Sequence, residues 1–149
     1  MQNQNEKVVQ ELNDLIESSK SGKEAYDTAI QNVKDPSIKS LFTDLGKQHE
    51  QSATELENQA RTLGIDSSTR AEGRYQTNTW TKAKTAATRG NEQDLLDNFE
   101  RGETEMVQKY DQLLKEASLP NNIKEVVRKQ HENQQKVPNQ IHDIRTNAK

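Results

Sequence analysis

Apolar residues recur along most of this chain at spacings of three, four and seven positions, the pattern of helices that bury one face. The pattern predicts five helices, over about residues 5–33, 36–63, 76–88, 91–117 and 121–147. No segment shows the strict alternation that a half-buried strand requires, so the predicted class is all-α. The apolar stripe of the first helix consists of Val8, Leu12, Leu15, Ile16, Tyr26, Ala29, Ile30 and Val33.

Prolines and glycines mark the ends of these helices. Asp35-Pro36 separates the first two helices, because proline disfavours helical geometry in the residue before it and suits the first turn itself. Gly64 is placed to end the second helix, and Pro138 is expected to kink the last one. Three further glycines lie within predicted helices, where each costs about 1 kcal/mol relative to alanine and indicates close helix approach: Gly22, Gly46 and Gly102.

The lengths of the connections predict the topology. Two tight turns give two antiparallel helical hairpins, and the long link between them must travel the length of the bundle. This is the ferritin-like four-helix bundle, with the short helix 76–88 inside the crossover. We expect residues 1–149 to form one domain. Residues 47–51 (Lys-Gln-His-Glu-Gln) resemble residues 129–133 (Lys-Gln-His-Glu-Asn), which is consistent with a duplicated hairpin.

Composition leaves two broad classes open. Only 29% of the residues are hydrophobic and 30% are charged, which is typical either of a disordered chain or of long helices with narrow apolar stripes. A net charge of −3, with three prolines and six glycines, favours the helical class. A largely disordered desiccation protectant is the alternative that the regular stripes disfavour, despite a mean hydropathy of −1.18.

Several other classes are excluded by what the sequence lacks. It has no cysteine, which excludes disulfides, thiolate catalysis and iron–sulfur clusters. No apolar run has the length of a transmembrane helix, and the first residues do not resemble a secretory signal. We therefore expect a cytoplasmic protein. No spacing indicates a nucleophilic triad, so the sequence gives no reason to expect an enzyme.

A ferritin-like bundle raises the question of a dimetal centre, which needs a Glu-x-x-His pair on each of two helices. The residues three positions before the histidines are Gly46, Arg128 and Asn139, and none is a carboxylate. We therefore expect no cofactor. The candidates that remain for an iron, manganese or zinc site are Glu100, Glu103, His49 and His131.

The middle of the predicted bundle is polar in another way. Extending the apolar stripes through their gaps predicts a polar layer of Gln48, Ser52, Glu103, Gln130 and Gln134. A buried carboxylate must be paired or hydrogen-bonded, so the first interpretation is a layer that fixes helix register, with Tyr26 or Tyr110 as partners. The other interpretation is a functional carboxylate in a pocket. The three histidines are placed mostly at the edges of the stripes.

Residues 69–90 contain five basic residues and one acidic residue. The candidates for contact with an anion such as nucleic acid or a lipid head group are Arg70, Arg74, Trp80, Lys82 and Lys84. The alternative, which we favour, is that Trp80 anchors the crossover helix while the cations stay solvated. The acidic chain as a whole is not expected to bind nucleic acids generally.

The sequence also resembles a bacterial ferritin-like four-helix-bundle family known as a domain of unknown function. The matching elements are Leu15-Ile16-Glu17, Gly22, Tyr26, Phe42, Glu55-Leu56, Gly64, Trp80, Glu100-Arg101-Gly102-Glu103, Tyr110, Gln130 and His142-Asp143. Before Trp80 the family usually has a His-Arg-Gly-like run, whereas this chain has Thr77-Asn78-Thr79. The resemblance implies the fold and no particular activity.

Two functions follow as expectations. The first is a non-enzymatic interaction or stress-associated protein that acts as a homodimer or with a protein partner and lacks a complete di-iron site. The second is a bundle that binds a metal or a small molecule through its central carboxylates and histidines.

Overall fold

A computed structural model of the chain describes residues 2–64 and 78–147. All secondary structure in these two ranges is helical, which confirms the predicted all-α class. None of the helices described there combines the length and the apolar character needed to cross a membrane. The helices are α1 (Gln2–Asn32), α2 (Pro36–Thr62), α3 (Asn78–Arg89), α4 (Glu92–Leu114), α5 (Asn121–Gln134) and α6 (Val137–Asn147).

Local capping explains where α2 and α4 begin. The Asp35 side chain accepts hydrogen bonds from the backbone N–H groups of Ser37 (2.8 Å) and Ile38 (3.3 Å), with Pro36 in the first turn. Asn91 caps α4 in the same way through the N–H of Asp94, at 3.0 Å. Such caps satisfy N–H groups that have no partner within the helix.

The last predicted helix is divided into two. The sequence predicted one kinked helix over 121–147, whereas the chain turns at residues 135–136 and α6 begins at Val137. Pro138 thus lies in the first turn of α6, where its missing N–H costs nothing. Inside a continuous helix the ring of Pro138 would clash with the carbonyl of Gln134. The helix therefore breaks before the proline, and α5 ends at Gln134.

The helices share one apolar core. Phe42 of α2 and Phe99 of α4 lie with ring centroids 4.8 Å apart, and Tyr26 of α1 packs edge-on against Phe42 at 4.9 Å. Val127 and Ile141 bring α5 and α6 into the same core. The apolar stripes of all the long helices therefore face one another.

Contacts between the helices give their directions. Phe42 lies against Phe99, and His49, further along α2, contacts Glu103, further along α4. The two helices therefore run in the same direction. α1 is antiparallel to α4, because Asp14 pairs with Lys109 while Tyr26 contacts Glu103. The link from α2 to α4 must consequently return along the molecule, and α3 lies in that link, packed on α1 and α4.

Trp80 holds α3 in place. Its indole is only 3% exposed and lies between two glycines, Gly22 of α1 and Gly102 of α4. A Cβ atom on Gly102 would lie 2.8 Å from indole Cζ3, and one on Gly22 would lie 3.1 Å from Cζ2. These two glycines therefore make room for a side chain, not for a neighbouring helix backbone as predicted. The exception is Gly46, where a Cβ would lie 3.3 Å from the Cβ of Tyr26.

Candidate functional site

Glu103 of α4 is fully buried, and three side chains from three other helices hydrogen-bond its carboxylate. Tyr26 of α1 donates to Oε2. His49 Nε2 of α2 lies 2.7 Å from Oε2 and 3.0 Å from Oε1. Gln134 Nε2 of α5 donates to Oε1 at 2.7 Å. We call these four residues the central cluster, and α1, α2, α4 and α5 each contribute one of them.

The cluster also orients its own members. A carboxylate can only accept hydrogen bonds, so the network assigns a proton to His49 Nε2 and directs the amide nitrogen of Gln134 toward Glu103. Gln134 Nε2 additionally donates to the backbone carbonyl of Glu103 at 3.1 Å. Because Gln134 is the last residue of α5, the break before Pro138 lies beside this contact.

His49 was predicted as a candidate metal ligand, but its burial was not predicted. The histidines were expected mostly at the edges of the apolar stripes, whereas His49 is only 4% exposed. The signal was present, because Phe42, His49 and Leu56 are seven residues apart and Phe42 and Leu56 are core residues. A histidine between them on one helix face is buried with them when a carboxylate is available as its partner.

A second set of polar groups lies beside the central cluster. Tyr110 donates to Gln130 Oε1 at 2.8 Å. Gln130 Nε2 donates to Glu55 Oε1 at 2.8 Å and reaches the backbone carbonyl of Ser52 at 3.4 Å. Of the predicted polar layer, Glu103, Gln130 and Gln134 are therefore buried and hydrogen-bonded, in two adjoining sets.

Gln48 and Ser52, the other two members of the predicted layer, lie elsewhere. Both are only half-buried and line a groove of about 460 Å³ between α2 and α5. We call it the α2–α5 groove. Gln130 and Gln134 form its buried side, so the groove reaches the outer edge of both polar sets.

Burial and the neighbouring carboxylate act together on the tyrosines. Desolvation, reinforced by the charge of Glu103, raises the pKa of Tyr26 well above its usual value. Desolvation also raises the pKa of Tyr110. Both phenols therefore remain protonated donors at neutral and moderately alkaline pH.

These shifts predict a loss of stability at alkaline pH. In the unfolded chain a tyrosine ionises near pH ~10, whereas both buried phenols keep their protons to higher pH. The folded state then binds more protons, so the free energy of unfolding should decrease above that pH by about 1.4 kcal/mol per pH unit for each tyrosine. Urea unfolding across the alkaline range measures this slope.

The control for the alkaline slope is Tyr110→Phe. It removes one of the two raised pKa values and leaves the central cluster intact, so the slope should decrease by about half relative to the native chain. An unchanged slope in this variant, or no slope in the native protein, would show that these phenols ionise without unfolding.

The candidate metal ligands do not form one site. His49 and Glu103 meet in the central cluster, but His131 Nε2 lies 2.7 Å from Asp111 Oδ1 on the α4–α5 side. Glu100 Oε1 lies 3.1 Å from Arg145 Nη2, away from Glu103. Within residues 2–64 and 78–147, no three His, Cys, Asp or Glu side chains are grouped to hold a metal ion. The residues therefore do not fit the dimetal centre of a ferritin-like bundle.

Three of the five candidate anion-contact residues lie in the part of the chain that the structure describes. Arg70 and Arg74 lie outside the described residues. Lys82 and Lys84 are exposed on α3, and Lys84 Nζ lies 3.9 Å from Glu24. Trp80 is buried between the two glycines, so its indole does not face an external ligand.

The chemical groups of the central cluster are those of acid–base catalysis, but their burial determines what they do. Tyr26 and Glu103 are fully buried, and a catalytic group must reach the atom whose proton it transfers. The hydrogen bonds of the cluster join α1, α2, α4 and α5.

Comparison with known proteins identifies the family. Residues 7–116 match the family described as a domain of unknown function, DUF2383. No curated protein matches the chain significantly. The matched segment includes Tyr26, His49 and Glu103, whereas Gln130 and Gln134 lie beyond it. Because the match covers well over half of its length, the chain belongs to the DUF2383 family.

Proposed function

We propose that the protein is a ferritin-like four-helix bundle that functions as a non-enzymatic interaction protein. α1, α2, α4 and the α5–α6 pair would be the four helices of the bundle, and α3 would belong to its crossover. The parallel course of α2 and α4, which requires a long returning link, supports this topology.

The observation that carries the proposal is the set of protein donors around the Glu103 carboxylate. Its two oxygens accept from three donors, which are Tyr26, Gln134 and the single Nε2–H of His49, and that N–H lies within 3.0 Å of both oxygens. Three donors take up most of the about four lone-pair positions of a carboxylate, which leaves little room for a metal ion to bind there. The cluster replaces a metal centre as the structure that joins the helices.

The described surface is poor in exposed large hydrophobic side chains. Leu63, 38% exposed, is the large hydrophobic side chain exposed in the described ranges. An interface with a second copy or a protein partner would therefore consist mostly of polar contacts in those ranges. Such interfaces are typical of reversible association.

Elemental analysis of protein purified without a chelator tests the proposal. We expect no stoichiometric iron, manganese or zinc, and no tight binding when each ion is titrated into the protein. Light scattering on the same preparation should give a mass above the 17.0 kDa of one chain. Stoichiometric metal would overturn the structural role of the cluster, and a strict monomer that binds no partner would overturn the interaction role.

A further inference from the structure

We propose that the α2–α5 groove binds a small organic cation with N–H donors, of the alkyl diamine class. The groove has a volume of about 460 Å³, which falls within the range of small-molecule sites. Its lining contains no histidine, and Gln134 is the residue that it shares with the central cluster.

A buried polar side chain lines this groove. Gln134 is 4% exposed, and its Nε2 is held by both the carboxylate and the backbone carbonyl of Glu103. This fixes the amide and turns its Oε1 away from the Glu103 carboxylate, and the residue lines the groove. No other described residue hydrogen-bonds that oxygen, which leaves a rigidly oriented acceptor for an N–H donor of a ligand.

The charge of the groove favours a cation. Its lining includes Glu50 and Glu55 but no lysine or arginine. Glu55 accepts from Gln130 Nε2 through Oε1, and neither carboxylate forms an ion pair with another described residue. A charge-assisted hydrogen bond from an ammonium group to either carboxylate would therefore meet no competing cation there.

The remaining lining favours an organic cation over a bare metal ion. Gln51, Asn133 and the hydroxyl of Thr54 contribute neutral donors and acceptors along the groove. In the described ranges no third His, Cys, Asp or Glu side chain is grouped with the two carboxylates to hold a metal ion. A flexible diamine can place one ammonium at Gln134 and the other at the carboxylates.

Isothermal titration calorimetry with 1,4-diaminobutane tests the site. We expect saturable one-to-one binding to the full chain and none for 1,4-butanediol, which has the same length without the charges. The double variant Glu50→Gln/Glu55→Gln should weaken diamine binding by about tenfold or more, because each charged hydrogen bond is lost. Both residues are exposed, so the variant is expected to fold, which circular dichroism verifies.

The matched control is Glu125→Gln/Glu132→Gln. It removes two exposed carboxylates from α5 that pair with Arg128 outside the groove, so the affinity should stay within about twofold. Equal weakening in both double variants would show nonspecific attraction, and absence of saturable binding to the native chain would refute the site. Equal binding of the diol or of Mg²⁺ would refute the ligand class. None of these results affects the role proposed for the central cluster.

Discussion

Replacing Glu103 with alanine is expected to lower the free energy of unfolding by about 3–6 kcal/mol, a large part of the stability of a typical domain. The variant leaves the hydroxyl of Tyr26, Nε2 of His49 and Nε2 of Gln134 without their buried acceptor. An unsatisfied buried polar group costs about 1–3 kcal/mol. Urea unfolding followed by circular dichroism measures the change.

Glu103→Ala has two matched controls, one at the same residue and one on the same helix. Glu103→Gln keeps the shape and one acceptor oxygen, so it should lose less stability than the alanine variant. Glu100→Ala, one turn earlier on α4, removes a partly exposed ion pair with Arg145 and should cost about 1 kcal/mol or less. A similar small loss for Glu103→Ala would mean that the central cluster does not hold the helices together.

Replacing Trp80 with alanine is expected to lower the free energy of unfolding by about 3–5 kcal/mol. The indole fills the slot between Gly22 and Gly102 and also lies 5.6 Å from the ring of His49. Its loss removes a main contact of α3 with α1 and α4. Hydrogen exchange should therefore become faster in α3 than in α4, in addition to the lower overall stability.

A double-mutant cycle tests whether Trp80 and Gly102 are in direct contact or stabilise the protein independently. Gly102→Ala alone should cost about 1–3 kcal/mol, because the new Cβ overlaps a rigid ring. In the Trp80→Ala background the same substitution should be neutral or stabilising, since the overlap is gone and alanine favours the helix. The exposed Lys82→Ala on α3 is the control and should stay within about 0.5 kcal/mol. If the free-energy changes of Gly102→Ala and Trp80→Ala simply add, the indole does not fill the space beside Gly102.

The helical class was predictable because it depends on local periodicity. The stripes of Leu12, Leu15 and Ile16 in α1, or of Leu96 and Phe99 in α4, fall on one helix face, and these residues are buried. The ends of α2 were predictable for the same reason, because Asp35-Pro36 and Gly64 affect only the neighbouring one or two helical turns. The position of the break near Pro138 was less predictable, because the chain can either kink at a proline or restart its helix just before it.

The site was predictable only in part because it depends on which helix faces meet. Glu103, Gln130 and Gln134 were predicted to lie near the core because each continues the apolar stripe of its own helix. That His49 would meet Glu103 depends on the relative register of α2 and α4, which no local pattern specifies. The same holds for Trp80, whose slot combines Gly22 and Gly102, residues eighty positions apart in the chain.

The most direct test of the account is a crystal structure of the protein grown in the presence of Mn²⁺, with an anomalous difference map. The account predicts no anomalous peak at the Glu103 carboxylate, and hydrogen-bond distances from it to Tyr26, His49 and Gln134. An ion held there by Glu103 and two or more other side chains would contradict the claim that protein donors take the place of a metal at the centre of the helices.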